Sequence, residues 1–458
     1  QGTVWVDREI YARVQTRAVQ LGLRGDVLSN DETLEYQPLD EQGQPAPWSD
    51  ESFFLPTRTT GQQLFSILNG TTVVEREVLL TEVRINPADF EERRRAKLAS
   101  EVTMVRDTER GVRYLEPTED GERVVQQELD KSRRFIVGGL FYDESQDFPL
   151  PLGGINWLNF DWRGTGTQTN LFVAGPLVLA NVATPSLRAS RWDLGADAFS
   201  VAFAGTDSVF RDGVEASGED VESLRPNVDI ALGRPFGNFF KLELEYSIGY
   251  NRFSRADDTA EEFVLPEDHI DHRFEVLGRY NRNGYRLRLG GSYNLRSDWE
   301  EWGLPGNSEF DPDHDTYTLW GGGIAKIWHL PKFTKLGVEL EYVGGENLDR
   351  FSKYQFGFFS DIRVHGYRSD RVRAEEAYAA HLSYGLNIGD IFRIDLVGDA
   401  AWATDEAALL EDELLAGVGL VGTFLGPWGT IVNLDVGVPV AGPDEGFSAF
   451  VAFLKLFD

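Results

Sequence analysis

Residues 241–251 read KLELEYSIGYN, and this short stretch decides the fold. Its large apolar residues are separated by single polar or small residues, and the same alternation returns in YRLRLGGSYNLR at 285–296. A period of two places successive side chains on opposite faces of a β-strand. Each stretch therefore predicts a strand with one apolar face and one polar face.

The same template fits sixteen segments from about residue 134 to the C-terminus. The predicted strands are 134–143, 153–161, 167–178, 185–193, 197–206, 226–234, 238–252, 270–281, 285–297, 316–328, 333–345, 377–388, 391–403, 413–424, 429–439 and 446–457.

The connections between these strands alternate in length. Every second one is tight, as in RGTG (163–166), LGAD (194–197) and NRNG (281–284), while the intervening ones are longer and mostly acidic. Short turns at one end and long loops at the other are typical of a transmembrane barrel with an even strand number. A soluble sandwich, which would bury the apolar face as its core, gives no reason for this alternation. We therefore predict an all-β transmembrane fold, a sixteen-stranded antiparallel outer-membrane β-barrel with a smaller mixed N-terminal region.

The composition agrees with this class and excludes several others. The chain of 458 residues carries a formal charge of -31, with 47 Gly, 30 Phe, 15 Tyr, 11 Trp and no Cys. An acidic chain repels nucleic acid, so we expect no nucleic-acid partner. No stretch is long and apolar enough for a transmembrane helix, yet a closed barrel also satisfies every backbone group within lipid.

Sequence signatures of catalysis and of bound cofactors are missing. The chain has no GxSxG, HExxH or P-loop motif, and we expect neither an enzyme nor a cofactor. Two acidic stretches, EDHIDH (267–272) and DPDHD (311–315), carry candidate metal ligands. Their spacing lacks the glycine and terminal glutamate of an EF-hand, so we interpret both as solvated loop tips and predict no metal site.

Residues 1–132 differ from the rest and form a separate N-terminal region, whereas 133–458 form the predicted barrel. Residues 7–21 and 87–101 have helical patterns, and 71–85 has an extended one. We expect this mixed region to be periplasmic.

A polar nonapeptide, VHGYRSDRV (364–372), lies in the long loop between the eleventh and twelfth predicted strands, at 346–376. Val364, Gly366 and Tyr367 match the Val-Arg-Gly-Phe/Tyr motif in the sixth loop of the BamA, TamA and FhaC superfamily of outer-membrane insertases and translocators, which this chain resembles. YQFGFFSD (354–361) resembles the approach to that motif.

Three further segments resemble the same superfamily in the same order along the chain. They are NFDWRGTG (159–166), LVGDAAW (396–402) and GVGLVGTFLGPWGTIVNLDVGVPV (417–440). Two positions depart from the family pattern. His365 replaces the motif arginine, and Ala401 replaces a glycine of the barrel wall. Histidine, with an ordinary pKa near 6.5, is only partly charged at neutral pH, whereas arginine is always charged. Residues 1–132 match no POTRA module, and a diverged module, another periplasmic domain or a remnant of a longer chain all remain open.

The resemblance implies that the sixth loop folds into the lumen, where its motif meets an aspartate of the thirteenth strand. The implied loop latch comprises Arg363, Val364, His365, Gly366, Tyr367 and Arg368. Its implied partner is Asp399, and Asp395, Glu339 and Glu341 are further wall candidates because they lie on the polar phase of their strands. Arg363 and Arg368 are alternatives to His365 for the contact with Asp399.

The implied function is insertion or translocation of polypeptides across the bacterial outer membrane. A lateral seam between the first and last strands would recruit a client strand, with Gly138 and Gly139 weakening one edge. Phe450, Phe453 and Phe457 are expected on the other edge, together with Phe447, as anchors in lipid. Expected partners are the bilayer, lipopolysaccharide, polypeptide clients and periplasmic or lipoprotein accessory subunits. A passive diffusion channel and a membrane anchor or exporter of an attached domain are the alternatives.

Overall fold

The computed structural model describes the chain from Gly2 to Phe457 with short gaps. The residues outside the description are 1, 21–26, 68–69, 101, 103, 109–110, 119–121, 126–130, 143–148, 203, 212–213, 308, 331–333, 359, 369–370, 389–391, 406–409, 427–429, 444–445 and 458. The chain divides into two compact units, one within the first 131 residues and one that contains Ser132 and everything after it.

The N-terminal unit is built mainly of antiparallel strands. Its elements are β1 (Gly2–Val6), β2 (Arg13–Val19), β3 (Val27–Leu39), β4 (Phe53–Ile67), β5 (Gly70–Leu79), α1 (Phe90–Leu98), β6 (Met104–Thr108), β7 (Gly111–Pro117) and β8 (Arg123–Val125). The first five strands form one sheet in chain order, and β6, β7 and β8 form another. In the described part of the chain, no helix has the length and apolar composition needed to cross a membrane.

The helix predicted over 7–21 is wrong, because residues 13–19 form strand β2. This segment contains Val14, Thr16 and Val19, whose branched β-carbons favour an extended backbone. Arg17 on β2 also pairs with Asp31 on β3, with its Nε 3.0 Å from Oδ1. The cross-strand contact stabilises an extended conformation where the local pattern predicted a helix.

The second unit contains the barrel. Its strands are β9 (Ser132–Tyr142), β10 (Leu150–Trp162), β11 (Thr167–Ala174), β12 (Leu177–Thr184), β13 (Asp193–Val201), β14 (Gly205–Asp207), β15 (Phe210–Arg211), β16 (Val214–Glu215), β17 (Val221–Leu224), β18 (Asn227–Phe236), β19 (Phe240–Arg255), β20 (His269–Arg282), β21 (Tyr285–Arg296), β22 (Thr316–His329), β23 (Lys335–Glu346), β24 (Tyr354–Gln355), β25 (Arg373–Ala374), β26 (Glu376–Ile388), β27 (Phe392–Asp405), β28 (Leu410–Gly426), β29 (Thr430–Ala441) and β30 (Ser448–Phe457). Sixteen of them close an antiparallel barrel, which confirms the predicted fold class. The short strands β14–β17, β24 and β25 belong to the long loops.

The alternation of the sequence becomes an inside and an outside. On β21, Leu287 and Leu289 are 49% and 68% exposed on the outer wall, so Arg286 and Arg288 between them face the lumen. The same outer exposure recurs on other strands, for example at Leu340 of β23 and Leu396 of β27. An apolar outer wall around a polar interior is the pattern of a barrel immersed in lipid.

The fourth strand lies earlier than predicted. The structure places it at Leu177–Thr184, and the predicted segment 185–193 instead contains a 3₁₀ turn at Leu187–Ala189. Gly175 has a φ of 59°, and Pro176 cannot donate to a strand ladder, so these two residues form a tight turn. LGAD is consequently part of β13 rather than a turn.

The barrel closes where β9 pairs with β30, and this pairing is called the seam below. Among the described residues it contains nine pairs, from Ala449 with Tyr142 to Phe457 with Arg134. The neighbouring β29–β30 ladder contains eight. The first and last strands are therefore paired along most of their described length.

The orientation of the wall can be tested at two adjacent residues of β23. Leu340 is 52% exposed on the outer wall, and Glu339 faces the lumen. We expect Leu340→Arg to lower the free energy of unfolding by about 2–4 kcal/mol, the cost of a basic side chain near the bilayer midplane. Glu339→Arg is the matched control and should have a much smaller effect. Urea unfolding in lipid vesicles, followed by tryptophan fluorescence, measures both, and equal losses would contradict the assigned orientation.

Candidate functional site

The sixth loop, residues 347–375, runs between β23 and β26 and folds into the barrel. Its strands β24 and β25 pair with each other, and its apex lies at 364–367. Val364 and Tyr367 have no exposed surface. The residues they approach belong to the inward-facing sets of β27, β28 and β29, so the loop occupies the lumen.

A buried apolar cluster joins the loop to the wall. Ala401 of β27, which stands where the wall motif that the sequence resembles has glycine, belongs to it and is 2% exposed. The loop contributes Phe356, Ile362, Val364, Tyr367, Val372 and Ala374, and the wall contributes Val343, Ala377, Ala379, Ala401, Ala403 and Leu415. Burial of this apolar surface stabilises the inserted position of the loop.

The apex of the loop is bound by one wall carboxylate. Asp399 Oδ2 accepts a hydrogen bond from the backbone N–H of His365 at 2.9 Å and another from His365 Nδ1. Asp399 Oδ1 accepts from Nδ1 of His381, on neighbouring β26, at 2.8 Å. The structure thus brings together His365 and Asp399, the two residues that the sequence motifs place opposite each other.

A second carboxylate takes the arginine of the loop. Arg363 donates to Asp435 Oδ1 on β29 at 2.8 Å, and His365 Nε2 lies 3.5 Å from the same oxygen. We refer to Arg363, His365, Asp399 and Asp435 as the latch. Sequence reasoning missed Asp435, although its position on the polar phase of the predicted strand 429–439 was a usable signal.

Other predicted site residues lie elsewhere. Asp395 pairs with Arg393 on its own strand at 2.7 Å, and Glu341 pairs with Arg288 at 2.9 Å. The Arg368 guanidinium lies 4.9 Å from the ring of Phe210, in the loop before β18. Glu339, also inward-facing, has no hydrogen bond or ion pair to the sixth loop among the described residues. Asp399 is therefore the predicted wall residue that receives the apex.

The wall opposite the apex is shaped by glycines. A β-carbon on Gly417 would overlap the carbonyl of His365, and one on Gly437 would lie 2.6 Å from the nitrogen of Gly366. Gly419 likewise faces the imidazole of His365. These three residues, the glycine cleft, let the backbone of the loop approach that of the wall. They lie within the segment 417–440 that resembles the family, but the sequence alone gave them no role.

The apex has matching constraints of its own. Gly366 has a φ of 90°, and a β-carbon there would overlap the backbone of Val438 and Pro439. Its N–H donates to the Ser448 hydroxyl at 3.2 Å, and the Tyr367 hydroxyl donates to the carbonyl of Ala441. Only glycine suits position 366, because both the dihedral angle and the close approach exclude a side chain.

The loop also reaches the seam from inside. The ring of Phe358 lies 5.4 Å from Phe141 of β9 and 5.2 Å from Phe450 of β30, measured between centroids. The Arg363 guanidinium covers the same ring at 3.9 Å. The expectation that Phe450 anchors the barrel in lipid is wrong, because Phe450 faces inward. Phe453, three residues later, is on the opposite face and is 39% exposed.

The remaining seam residues separate by face. Gly139 is paired with Ala452 on the inner face, and Gly138 is paired with Phe453 on the outer one. Phe457 pairs with Arg134 at the end of the ladder. A β-carbon on Gly139 would lie 2.5 Å from the carbonyl oxygen of Val451, whereas one on Gly138 would meet no atom within 4 Å.

A buried ionic cluster ties the sixth loop to the loop before β18. Asp207 pairs with Arg373 at 2.9 Å, with Arg350 at 2.8 Å and with Arg225 at 3.3 Å. Burial alone would raise the pKa of Asp207, but the three guanidinium groups outweigh it and hold the pKa well below its ordinary value. The sixth loop is therefore fixed at its base as well as at its apex.

The comparisons with known proteins show the fold. No family model and no curated protein matches the chain. CdiB from Escherichia coli is similar over 83% of this chain and 72% of its own, with a TM-score of 0.52 and 10% identity. CdiB from Acinetobacter baumannii covers 83% and 70%, with a TM-score of 0.50 and 12% identity. BamA from Haemophilus ducreyi lacking POTRA domains 1–3 covers 83% and 80%, with a TM-score of 0.48 and 12% identity. The likeness to the two CdiB structures confirms the predicted barrel fold, and it is a likeness of fold alone.

The contribution of Asp399 can be measured directly. We expect Asp399→Ala to destabilise the barrel by about 3–5 kcal/mol, because it leaves buried donors of His365 and His381 without an acceptor. The matched control is Asp395→Ala on the same strand. Its partner Arg393 is partly exposed, so we expect the free energy of unfolding to fall by less than about 1 kcal/mol. Samples are heated to a series of temperatures before electrophoresis. The temperature at which the folded band disappears is then compared between each variant and the unaltered chain. Equal shifts would show that Asp399 has no special role.

The glycine cleft predicts a second outcome. Gly417→Ala should displace the apex, because its β-carbon would occupy the space of the His365 carbonyl. We expect a cost of about 1–3 kcal/mol and a larger single-channel conductance in planar bilayers. Gly422→Ala on the same strand is the control, since its β-carbon would meet only atoms at 3.8 Å. An unchanged conductance in Gly417→Ala would contradict a lumen closed by the sixth loop.

Proposed function

We propose that this chain inserts or translocates polypeptides across the bacterial outer membrane. Three observations support the proposal. They are the outward apolar wall of a closed barrel, the ordered set of sequence motifs, and the fold shared with the two CdiB structures. The first makes a membrane the environment of the barrel, and the other two indicate the class of work.

The observation that carries the proposal is the double contact of the sixth loop. His365 and Arg363 of the loop are bound by Asp399 and Asp435 on the wall. Phe358 of the same loop lies against both strands of the seam. Arg363 links the two regions, because it binds Asp435 and covers the Phe358 ring. Movement of this loop would clear the lumen and remove an aromatic contact from the seam in a single step.

Two routes for a polypeptide follow from that movement. A client strand could pair with an edge of β9 or β30 once the seam opens, since a free strand edge presents unpaired N–H and C=O groups. Nine residue pairs would have to be exchanged, and a client that supplies equivalent hydrogen bonds offsets most of their loss. The second route is threading of an unfolded chain through the cleared lumen.

The free energy for this work would come from client folding and not from a nucleotide. The proposed surroundings are the bilayer and lipopolysaccharide, and the proposed partners are polypeptide clients with periplasmic or lipoprotein accessory subunits. We propose no catalytic role. The acidic composition, with a formal charge of -31, argues against a nucleic-acid partner.

A passive diffusion channel is the main alternative. It would require a lumen that conducts while the sixth loop is in place. The buried cluster of the loop and the latch both argue against this, because they hold the loop inside the barrel. A large and steady current through the unaltered protein would favour the channel.

The seam is tested with a disulfide, since the chain has no cysteine. Leu140 and Val451 are paired across the seam on its outer face. We expect oxidised Leu140→Cys with Val451→Cys to abolish assembly of a urea-unfolded eight-stranded outer-membrane barrel in vesicles containing this protein. The reduced form should be active. Assembly is measured as the heat-modifiable fraction of the added barrel.

The matched control keeps one of the two positions. Leu434 pairs with Val451 in the adjacent β29–β30 ladder. The disulfide of Leu434→Cys with Val451→Cys should leave assembly unchanged, because it does not cross the seam. Full activity of a completely oxidised seam variant would rule out lateral opening.

A further inference from the structure

Three carboxylates from two long loops converge at one end of the barrel. Glu215 and Asp220 lie in the loop between β13 and β18, and Asp258 lies in the loop between β19 and β20. One oxygen from each lies within 4.8 Å of the other two. The two acidic stretches considered from sequence, 267–272 and 311–315, do not contribute to this group.

The two loops are tied together beside the carboxylates. The Thr259 hydroxyl donates to the backbone carbonyl of Asp220 at 2.6 Å, and the Ala260 N–H donates to the carbonyl of Gly218 at 2.9 Å. Gly218 has a φ of 86°, and a β-carbon there would lie 3.0 Å from that of Ala260. The convergence of the acidic groups is therefore built by the backbone and does not depend on flexible side chains.

Asp220 is the least expected member of the group. It is only 5% exposed, and its Oδ2 accepts a hydrogen bond from the Ser208 hydroxyl at 2.8 Å. Its Oδ1 is also buried, and it has no hydrogen-bond partner among the residues that the structure describes. An unpaired carboxylate oxygen beside two other carboxylates is available as a ligand for a cation.

Among the described residues, none of the three carboxylates forms an ion pair. Arg350 is near, but its bonds go to Asp207 and to the carbonyl of Glu219. The carboxylates of Glu215 and Asp258 repel that of Asp220, and the charge of Arg350 offsets only part of this repulsion. A bound cation would relieve this repulsion.

We propose that Glu215, Asp220 and Asp258 form a binding site for a divalent cation of the calcium type. All three ligands are oxygens, which suit a hard cation, and calcium accepts irregular arrangements of six to eight oxygens. Glu215 and Asp258 are exposed, so water can complete the coordination. Dissociation constants of roughly 10⁻⁴–10⁻³ M are common for calcium sites in extracellular modules, and we expect this range.

The site lies next to the base of the sixth loop. The Ser208 hydroxyl binds Asp220, and the Ser208 carbonyl accepts from Arg373 of the sixth loop at 3.0 Å. Ser208 also follows Asp207, the centre of the arginine cluster. A cation here would fix the loop before β18, and through it one anchor of the sixth loop.

The experiment uses the purified full chain in detergent, stripped of ions and titrated with calcium chloride. We expect one calcium per chain by titration calorimetry and a rise in the unfolding temperature that follows from preferential binding to the folded state. Asp220→Asn and Asp258→Asn should each weaken binding at least tenfold. Asp220→Asn keeps an oxygen for Ser208, and Asp258 is exposed, so both variants should fold.

The matched control is Asp313→Asn, which removes one exposed acidic charge from another loop. It should bind calcium as the unaltered chain does. The proposal is overturned if the unaltered chain shows no stoichiometric binding at millimolar calcium, if the two site variants bind equally well, or if the control loses binding too. None of these outcomes bears on polypeptide insertion, because the measurement needs no client.

Discussion

The apex of the inserted loop is held by one buried carboxylate, that of Asp399. A polar loop inside a barrel must satisfy its backbone and side-chain groups without bulk water, and an unpaired buried donor costs about 1–3 kcal/mol. Asp399 accepts from the His365 backbone, from the His365 ring and from His381, so one side chain satisfies three donors on two elements. The His365 N–H and Nδ1 are thereby paired where the apex packs against the wall, whereas its buried Nε2 has no hydrogen bond among the described residues.

His365 stands where the loop motif that the sequence resembles has arginine, and the contacts around it differ accordingly. An arginine carries a long, permanently charged fork, whereas an imidazole is short and must approach its partner closely. Here the glycine cleft lets the His365 backbone come against the wall, and the charge is supplied separately by Arg363, which pairs with Asp435 at 2.8 Å. Two residues of the loop, His365 and Arg363, thus make the contacts with the wall that are expected of one arginine. The sequence left open whether His365, Arg363 or Arg368 contacts Asp399. In the structure His365 binds Asp399, whereas Arg363 binds Asp435 and Arg368 lies over the ring of Phe210.

Much of the barrel could be predicted from sequence because strand alternation is a local signal. The loop motif and Asp399 were accessible through resemblance to a family. Contacts that form only when the barrel closes were harder to predict from the sequence. Asp435, Gly417 and Phe358 acquire their roles only when strands far apart in the chain face the same lumen. The fourth strand lies elsewhere than predicted because the turn at Gly175 interrupts a run of apolar residues, which by itself resembles one continuous strand. Phe450 and Phe453 are three residues apart, so the period of two places them on opposite faces of β30.

The contacts of the sixth loop favour joint release over partial movement. Arg363 binds Asp435 and covers Phe358, whose ring touches both strands of the seam, so withdrawal of the apex disturbs the seam through side chains already in contact. At the base, Arg373 holds Asp207, which two other arginines also bind. Loss of only one anchor would leave buried charges unpaired at a cost of several kcal/mol. Under the proposed function, a client that opens the seam would have to compensate for the latch as well as for the nine described residue pairs. Such a barrel would stay closed until a client strand binds.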